Sequence, residues 1–86
     1  MNPNFKQYHA DNPLVYELIL KYARQAKRAG HAHYSLRAIL HRIRWHMNVQ
    51  TKDNQGFQIN NNYSQDYAMK VMEENPDLEG FFRLRF

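Results

Sequence analysis

The chain has 86 residues, of which 43% are hydrophobic and 23% charged, with a formal net charge of +4 and an isoelectric point near 9.6. A chain of this length carries one modest core, and its proportions are those of a folded domain, not a disordered segment. With no cysteine it has no disulfide framework, thiol nucleophile or thiolate metal site.

Met1 to Lys6 has no apolar export region, and nowhere is there the run of about 18 apolar residues that a membrane span requires. A cytoplasmic protein is expected. Residues 1–11 are polar apart from Phe5, Tyr8 and Ala10 and carry no periodicity, so they are expected to form an N-terminal arm, with residues 12–86 as a single globular domain.

Asn12-Pro13 supplies a helix start, because Asn accepts from orphan N–H groups and Pro at the first helical position has no N–H to lose. Gly30 is the matching stop. Between them Val15, Leu18, Ile19, Tyr22, Ala23 and Ala26 repeat at helical spacing, and Arg24, Lys27 and Arg28 fall where the helix dipole is negative. Ser35 caps a second helix that runs to about His46, with Leu36, Ile39, Leu40, Ile43 and Met47 as its buried stripe. Arg37, His41 and Arg44 form a line beside that stripe, while Arg42, Trp45 and His46 project away from it.

After Asn48 the pattern changes to period two. Met47, Val49 and Thr51, the turn Asp53-Asn54-Gln55-Gly56, and Phe57 and Ile59 predict a β-hairpin. Asn60-Asn61-Asn62 offers a cap for a third helix with Tyr63, Tyr67, Ala68, Val71 and Met72 on one face, closed by Asn75-Pro76. Asp77 to Gly80 makes a turn or half-turn of helix, and the alternation of Phe82, Arg83, Leu84, Arg85 and Phe86 suits a strand pairing with the hairpin, with a helical tail as the alternative. The expected fold is therefore α+β and mainly helical: three helices, a hairpin between the second and third, and a C-terminal strand. It is loosely winged-helix-like, although in that plan no helix follows the hairpin in this way.

The strings Tyr34-Ser35, Ile43-Arg44-Trp45, Gly56-Phe57-Gln58-Ile59-Asn60-Asn61-Asn62-Tyr63 and Gly80-Phe81-Phe82 resemble an uncharacterised family of small phage and prophage proteins over roughly residues 12–83. The resemblance implies a viral or prophage genome and a role in the host cytoplasm during infection or lysogeny. It brings no assigned activity. One departure is Met69, where relatives tend to carry Arg after Tyr-Ala.

Chemistry-bearing residues are few. His31-x-His33 with His41 and His46 is the only raw material for a metal site, yet no Asp or Glu lies between Glu17 and Asp53 to complete one. His41 and His46, five positions apart on a helix, point about 140° away from each other. No nucleophile elbow, phosphate loop or dinucleotide fingerprint is present, so neither catalysis nor a cofactor is expected.

The basic second helix is the most informative feature. Arg37, His41, Arg42 and Arg44, with Lys27 and Arg28 just before and Lys52 at the hairpin tip, could all meet phosphates, aided by the loop 30–34. Trp45 either adds a surface on which a base stacks or a partner docks, or packs beneath the hairpin. Asn60 to Asn62 could read base edges but suit a turn and cap equally, and Tyr63, Tyr67, Phe81 and Phe82 could be a stacking strip or core. Arg83 and Arg85 would make a second positive edge. The leading expectation is a nucleic-acid-binding protein. The alternative is a phage accessory inhibitor that uses Trp45 and the Arg cluster against an acidic surface of a host protein concerned with defence or replication.

Overall fold

The computed structural model describes residues 3–50 and 61–83, and every regular element among them is helical. Helix α1 spans Pro3–Asp11, α2 Pro13–Arg28, α3 Leu36–Trp45 and α4 Ser64–Glu74. A π-helical turn, His46–Gln50, extends α3, and short 3-10 turns at Asn61–Tyr63 and Pro76–Leu78 flank α4. No described helix is long and apolar enough to cross a membrane.

The core takes residues from all four helices and the last turn: Phe5 from α1, Val15, Leu18, Ile19 and Ala23 from α2, Leu36, Ile39, Leu40 and Ile43 from α3, Tyr67, Ala68 and Val71 from α4, then Leu78, Phe81 and Phe82. The apolar stripes expected on α2, α3 and α4 are the ones buried, with Tyr22, Ala26, Met47, Tyr63 and Met72 half-buried at the margins. Gly30 ends α2 with φ +105°. Around it Gly30 N–H bonds to Lys27 O and His31 N–H to Ala26 O, the double closure of a Schellman motif. Ser35 Oγ accepts from Ala38 N–H at 3.3 Å, the expected cap of α3.

Three expectations are corrected. The α+β, winged-helix-like plan fails on the described residues. Met47 and Val49, read as the first strand, lie in the π-helical turn. Met47 also completes the stripe of α3, and a helix already formed extends by one residue more readily than a new strand begins. The hairpin turn and its second strand, with Thr51 and Lys52, fall outside the described residues. Of the strand expected from Phe82 onward, Phe82 is buried and Arg83 exposed, as alternation has it, but Phe82 lies in a bend and neither residue is in a strand; the remainder of that expected strand lies outside the described residues.

The N-terminal arm is instead helix α1. Phe5 is 2% exposed and meets Tyr67 edge-on, with ring centroids 4.7 Å apart at 89°. Tyr8 and Tyr63 close at 5.0 Å beside them. With residues 3–11 helical, Asn12 serves a different end from the one expected: its side chain does not cap α2, but its Nδ2 donates at 3.0 Å to Tyr8 O, the α1 carbonyl that also accepts from Asn12 N–H at 2.9 Å.

A polar seam joins α2 to the end of α4. Tyr16 OH donates to Glu74 Oε1 at 2.6 Å and accepts from Asn75 Nδ2 at 3.1 Å. Arg24 donates to Asp77 Oδ2 and to Asn75 Oδ1, each at 3.1 Å, and Lys27 Nζ donates to Asp77 O. Burial and then the bond to Glu74 push the Tyr16 phenol up to about 12. The bonds from Lys70 and Tyr16 hold Glu74 below its usual range, and the guanidinium of Arg24 does the same for Asp77. Because Arg24 and Asp77 remain 43% and 48% exposed, this seam orients the turn more than it stabilises it.

Two outcomes follow from α1. Phe5→Ala should cost about 3–5 kcal/mol in denaturant unfolding, since it removes a buried ring and leaves a cavity against Tyr67; deletion of residues 1–11 should unfold the domain, where removal of a mere arm would have no effect. His9 packs between Phe5, Tyr16 and Tyr67 with Nδ1 buried and unpartnered. Burial, then the Lys70 charge, lowers its pKa below 6.5. The unfolded chain therefore takes up a proton before the folded one does, so stability is full above 6.5 and falls as pH drops from 6.5 through the folded pKa. Urea titrations at several pH values should show that loss in wild type and its absence in His9→Phe.

Candidate functional site

Helix α3 divides cleanly into a buried stripe and a cationic face because its ten residues, Leu-Arg-Ala-Ile-Leu-His-Arg-Ile-Arg-Trp, contain no carboxylate. At about 100° per residue, Trp45 lies roughly 170° from the centre of the Leu36, Ile39, Leu40 and Ile43 stripe. It therefore sits at the middle of the solvent face and is 52% exposed. Of the two readings of this residue, the structure has the exposed one.

Cations stand on both sides of it. On one side the guanidinium of Arg42 lies 5.3 Å from the Trp45 ring and 5.2 Å from the ring of Tyr22, so indole, guanidinium and phenol form a series running from α3 to α2. Such contacts hold a flexible Arg in place. On the other side are Arg37 and His41, both exposed, and Arg44, half-buried. Arg44 Nη1 comes within 3.5 Å of His41 Nδ1. The charge of Arg44 also reaches Tyr8, where it opposes the upward push of burial on the phenol. Arg37 and Arg44 are separated by about 10 Å along the helix axis, and Val49, 50% exposed, follows Trp45 in the π-helical turn.

The remaining expected site residues are not gathered here. Lys27 is on the opposite flank of α2 from Tyr22, about 140° around the helix, and its ammonium is bonded to Asp77 O. Arg28 is exposed at the end of α2. Lys52 lies outside the described residues. The loop 30–34 is exposed throughout, but its histidines have local roles: His31 meets the Tyr34 ring edge-on at 5.2 Å, and His33 Nδ1 is 3.2 Å from Gly80 O. Among the described residues no three His, Asp or Glu side chains gather as a metal site. Tyr67, Phe81 and Phe82 are core residues, not a stacking strip. Asn61 and Asn62 form the 3-10 turn before α4, whose N-terminus has no side-chain cap.

Sequence reasoning missed the part played by Tyr22, which was counted with the buried stripe of α2. Its position at the margin of that stripe was the available signal, since marginal aromatics expose one ring face. No family model matches the chain, and no curated protein or solved structure matches it significantly.

Trp45 is the only tryptophan, so its surroundings can be read directly. Its emission should be that of a solvated indole and should be quenched more strongly by iodide than by caesium, because cations flank the ring. Trp45→Ala should leave stability within about 0.5 kcal/mol of wild type, as for other surface substitutions. Blue-shifted emission, or unfolding of the variant, would place the ring in the core.

Proposed function

We propose that the protein binds nucleic acid through the outer face of α3, with a preference for single strands. The observation that carries this is the half-exposed Trp45 at the centre of an acid-free face, flanked by Arg42 on one side and Arg37, His41 and Arg44 on the other. An indole in this setting offers a stacking platform to an unpaired base, and the line Arg37, His41, Arg44 offers donors and positive charge to the strand's phosphates. Arg42, held against Tyr22 and Trp45, stiffens the platform. On the resemblance to small phage and prophage proteins, such binding would serve infection or lysogeny in the host cytoplasm.

A protein partner is the second reading, favoured by Val49, which adds an exposed apolar side chain next to Trp45. Trp and Arg are among the commonest anchors of protein interfaces, and an acidic host surface would complement them.

Fluorescence anisotropy with labelled single-stranded and duplex DNA and RNA over a salt series separates the two. Single strands should bind with micromolar or tighter affinity near physiological salt. Trp45→Ala should weaken them about 5- to 150-fold, the value of one stacked base. Arg37→Glu should weaken binding and flatten the salt dependence by about 0.7 in log–log slope for each phosphate that is no longer neutralised. No binding even at low salt would sink the nucleic-acid proposal and leave the acidic protein partner as the occupant of this face.

A further inference from the structure

A cleft of about 620 Å³ opens at the other end of α3, between its N-terminus, the N-terminal half of α4 and the segment that follows Gly80. Its size is within the usual range of small-ligand sites. Leu36 and Ala68 form its apolar floor, and polar groups surround them: the side chains of Tyr34, Ser35, Arg37, Ser64, Gln65 and Arg83. No carboxylate is among its described lining residues.

The two guanidinium groups are uncommitted. The ion pairs among the described residues are Arg24–Asp77 and Lys70–Glu74, and neither Arg37 nor Arg83 takes part in one or in a hydrogen bond. Two like charges lining one cleft, with no carboxylate among its described lining residues, repel each other, and a ligand carrying the opposite charge would relieve that repulsion.

The walls are fixed independently of any ligand. Tyr34 N–H bonds to Phe81 O at 3.3 Å, and the His33 ring meets Gly80 O, so the loop before α3 is fastened to the segment bearing Arg83. Gly80 adopts φ +72°, the left-handed region, and the buried Phe81 and Phe82 hold the chain just before Arg83. Both α3 and α4 begin at this cleft, so the positive ends of two helix dipoles add to the two arginines.

We infer that this cleft binds a phosphomonoester dianion. A terminal phosphate carries about −1.5 to −2 at neutral pH, which two guanidinium groups neutralise, and Arg binds such oxygens in bidentate fashion. The Ser35, Ser64 and Tyr34 hydroxyls and the Gln65 carboxamide supply further donors, and Tyr34 offers a ring face to the attached group. An internal phosphodiester, with a single charge, would leave one arginine unmatched. Arg37 belongs both to this cleft and to the outer face of α3. If that face binds a strand, the dianion is the phosphate at the strand's end; only this choice of carrier rests on the proposed function.

Amide chemical shifts should be followed during titration with inorganic phosphate and with a nucleoside 5′-monophosphate. Oligonucleotide affinities should be compared for otherwise identical strands ending in phosphate or in hydroxyl. The expected results are shifts concentrated at Ser35, Ser64, Gln65 and Arg83, and about tenfold or greater preference for the phosphorylated strand. Arg83→Gln, with circular dichroism to verify folding, should abolish both the shifts and the preference. Equal affinity for phosphate- and hydroxyl-ended strands, with no shifts at the cleft, would overturn the inference and leave strand binding on α3 standing. Shifts spread over all cationic residues, or retained in Arg83→Gln, would also overturn it. Shifts at the cleft without binding of any oligonucleotide would uphold the dianion site, assign its carrier to free nucleotides and end the strand-binding proposal.

Discussion

A chain of 86 residues can bury only a modest amount of apolar surface, and this one meets the constraint by closing α1 over Tyr67. Tyr67 is 0% exposed, its hydroxyl has no hydrogen-bond partner, and burial raises its pKa. An unpaired buried hydroxyl is costly, so the ring must be held by what surrounds it. Phe5 meets it edge-on, Tyr8 and His9 approach from the same helix, and Ala68 and Val71 extend the packing along α4. Without α1 the aromatic end of the core would face water, and α2 and α4 would be deprived of the surface that completes their packing.

That arrangement takes no side chain from the outer face of α3 into the described core. The core is complete with residues on the inner sides of the helices, and the large hydrophobic residues still exposed among those described are Leu14, Tyr34, Trp45 and Val49. Two of these are neighbours at the end of α3 and a third lies in the loop before it. Apolar exposure and cationic charge therefore coincide on one side of the molecule, where a solvated face would ordinarily mix charges of both signs.

Helical periodicity was the legible part of the sequence. The stripes of α2, α3 and α4, the Gly30 stop and the Ser35 cap were all visible, because each rests on a spacing or a local hydrogen bond that short segments carry by themselves. The role of α1 was not. Among its described side chains Phe5 is the one fully buried, too few to show a period, and the helicity of α1 depends on contacts with Tyr63 and Tyr67 more than fifty positions away. The hairpin expectation failed for the opposite reason: Met47 and Val49 fit a period of two, but Met47 fits the α3 stripe as well, and three alternating positions do not outweigh a helix already under way. At the site, the line Arg37, His41, Arg44 could be read from spacing alone. The Tyr22–Arg42–Trp45 series and the cleft shared by Arg37 and Arg83 could not, because both depend on how separate elements meet.

The distribution of carboxylates explains why a modest net charge produces a strongly cationic face. Between Glu17 and Asp53 there are eight Lys and Arg and no acid. Of those eight, Arg24 and Lys27 turn toward the end of α4 and bond to Asp77, whose carboxyl the Arg24 guanidinium holds below its usual range. Glu74 is likewise held by Lys70 and Tyr16. The polar seam thus engages acids with cations from one flank of α2 and from α4, while α3 has no acid in its own sequence. Coulomb repulsion among Arg37, Arg42 and Arg44 is tolerated because the helix is held by its buried stripe, not by its surface charges. A fold so divided keeps its cationic face whatever happens at the seam, and the charge that α3 presents is set by its own sequence of ten residues.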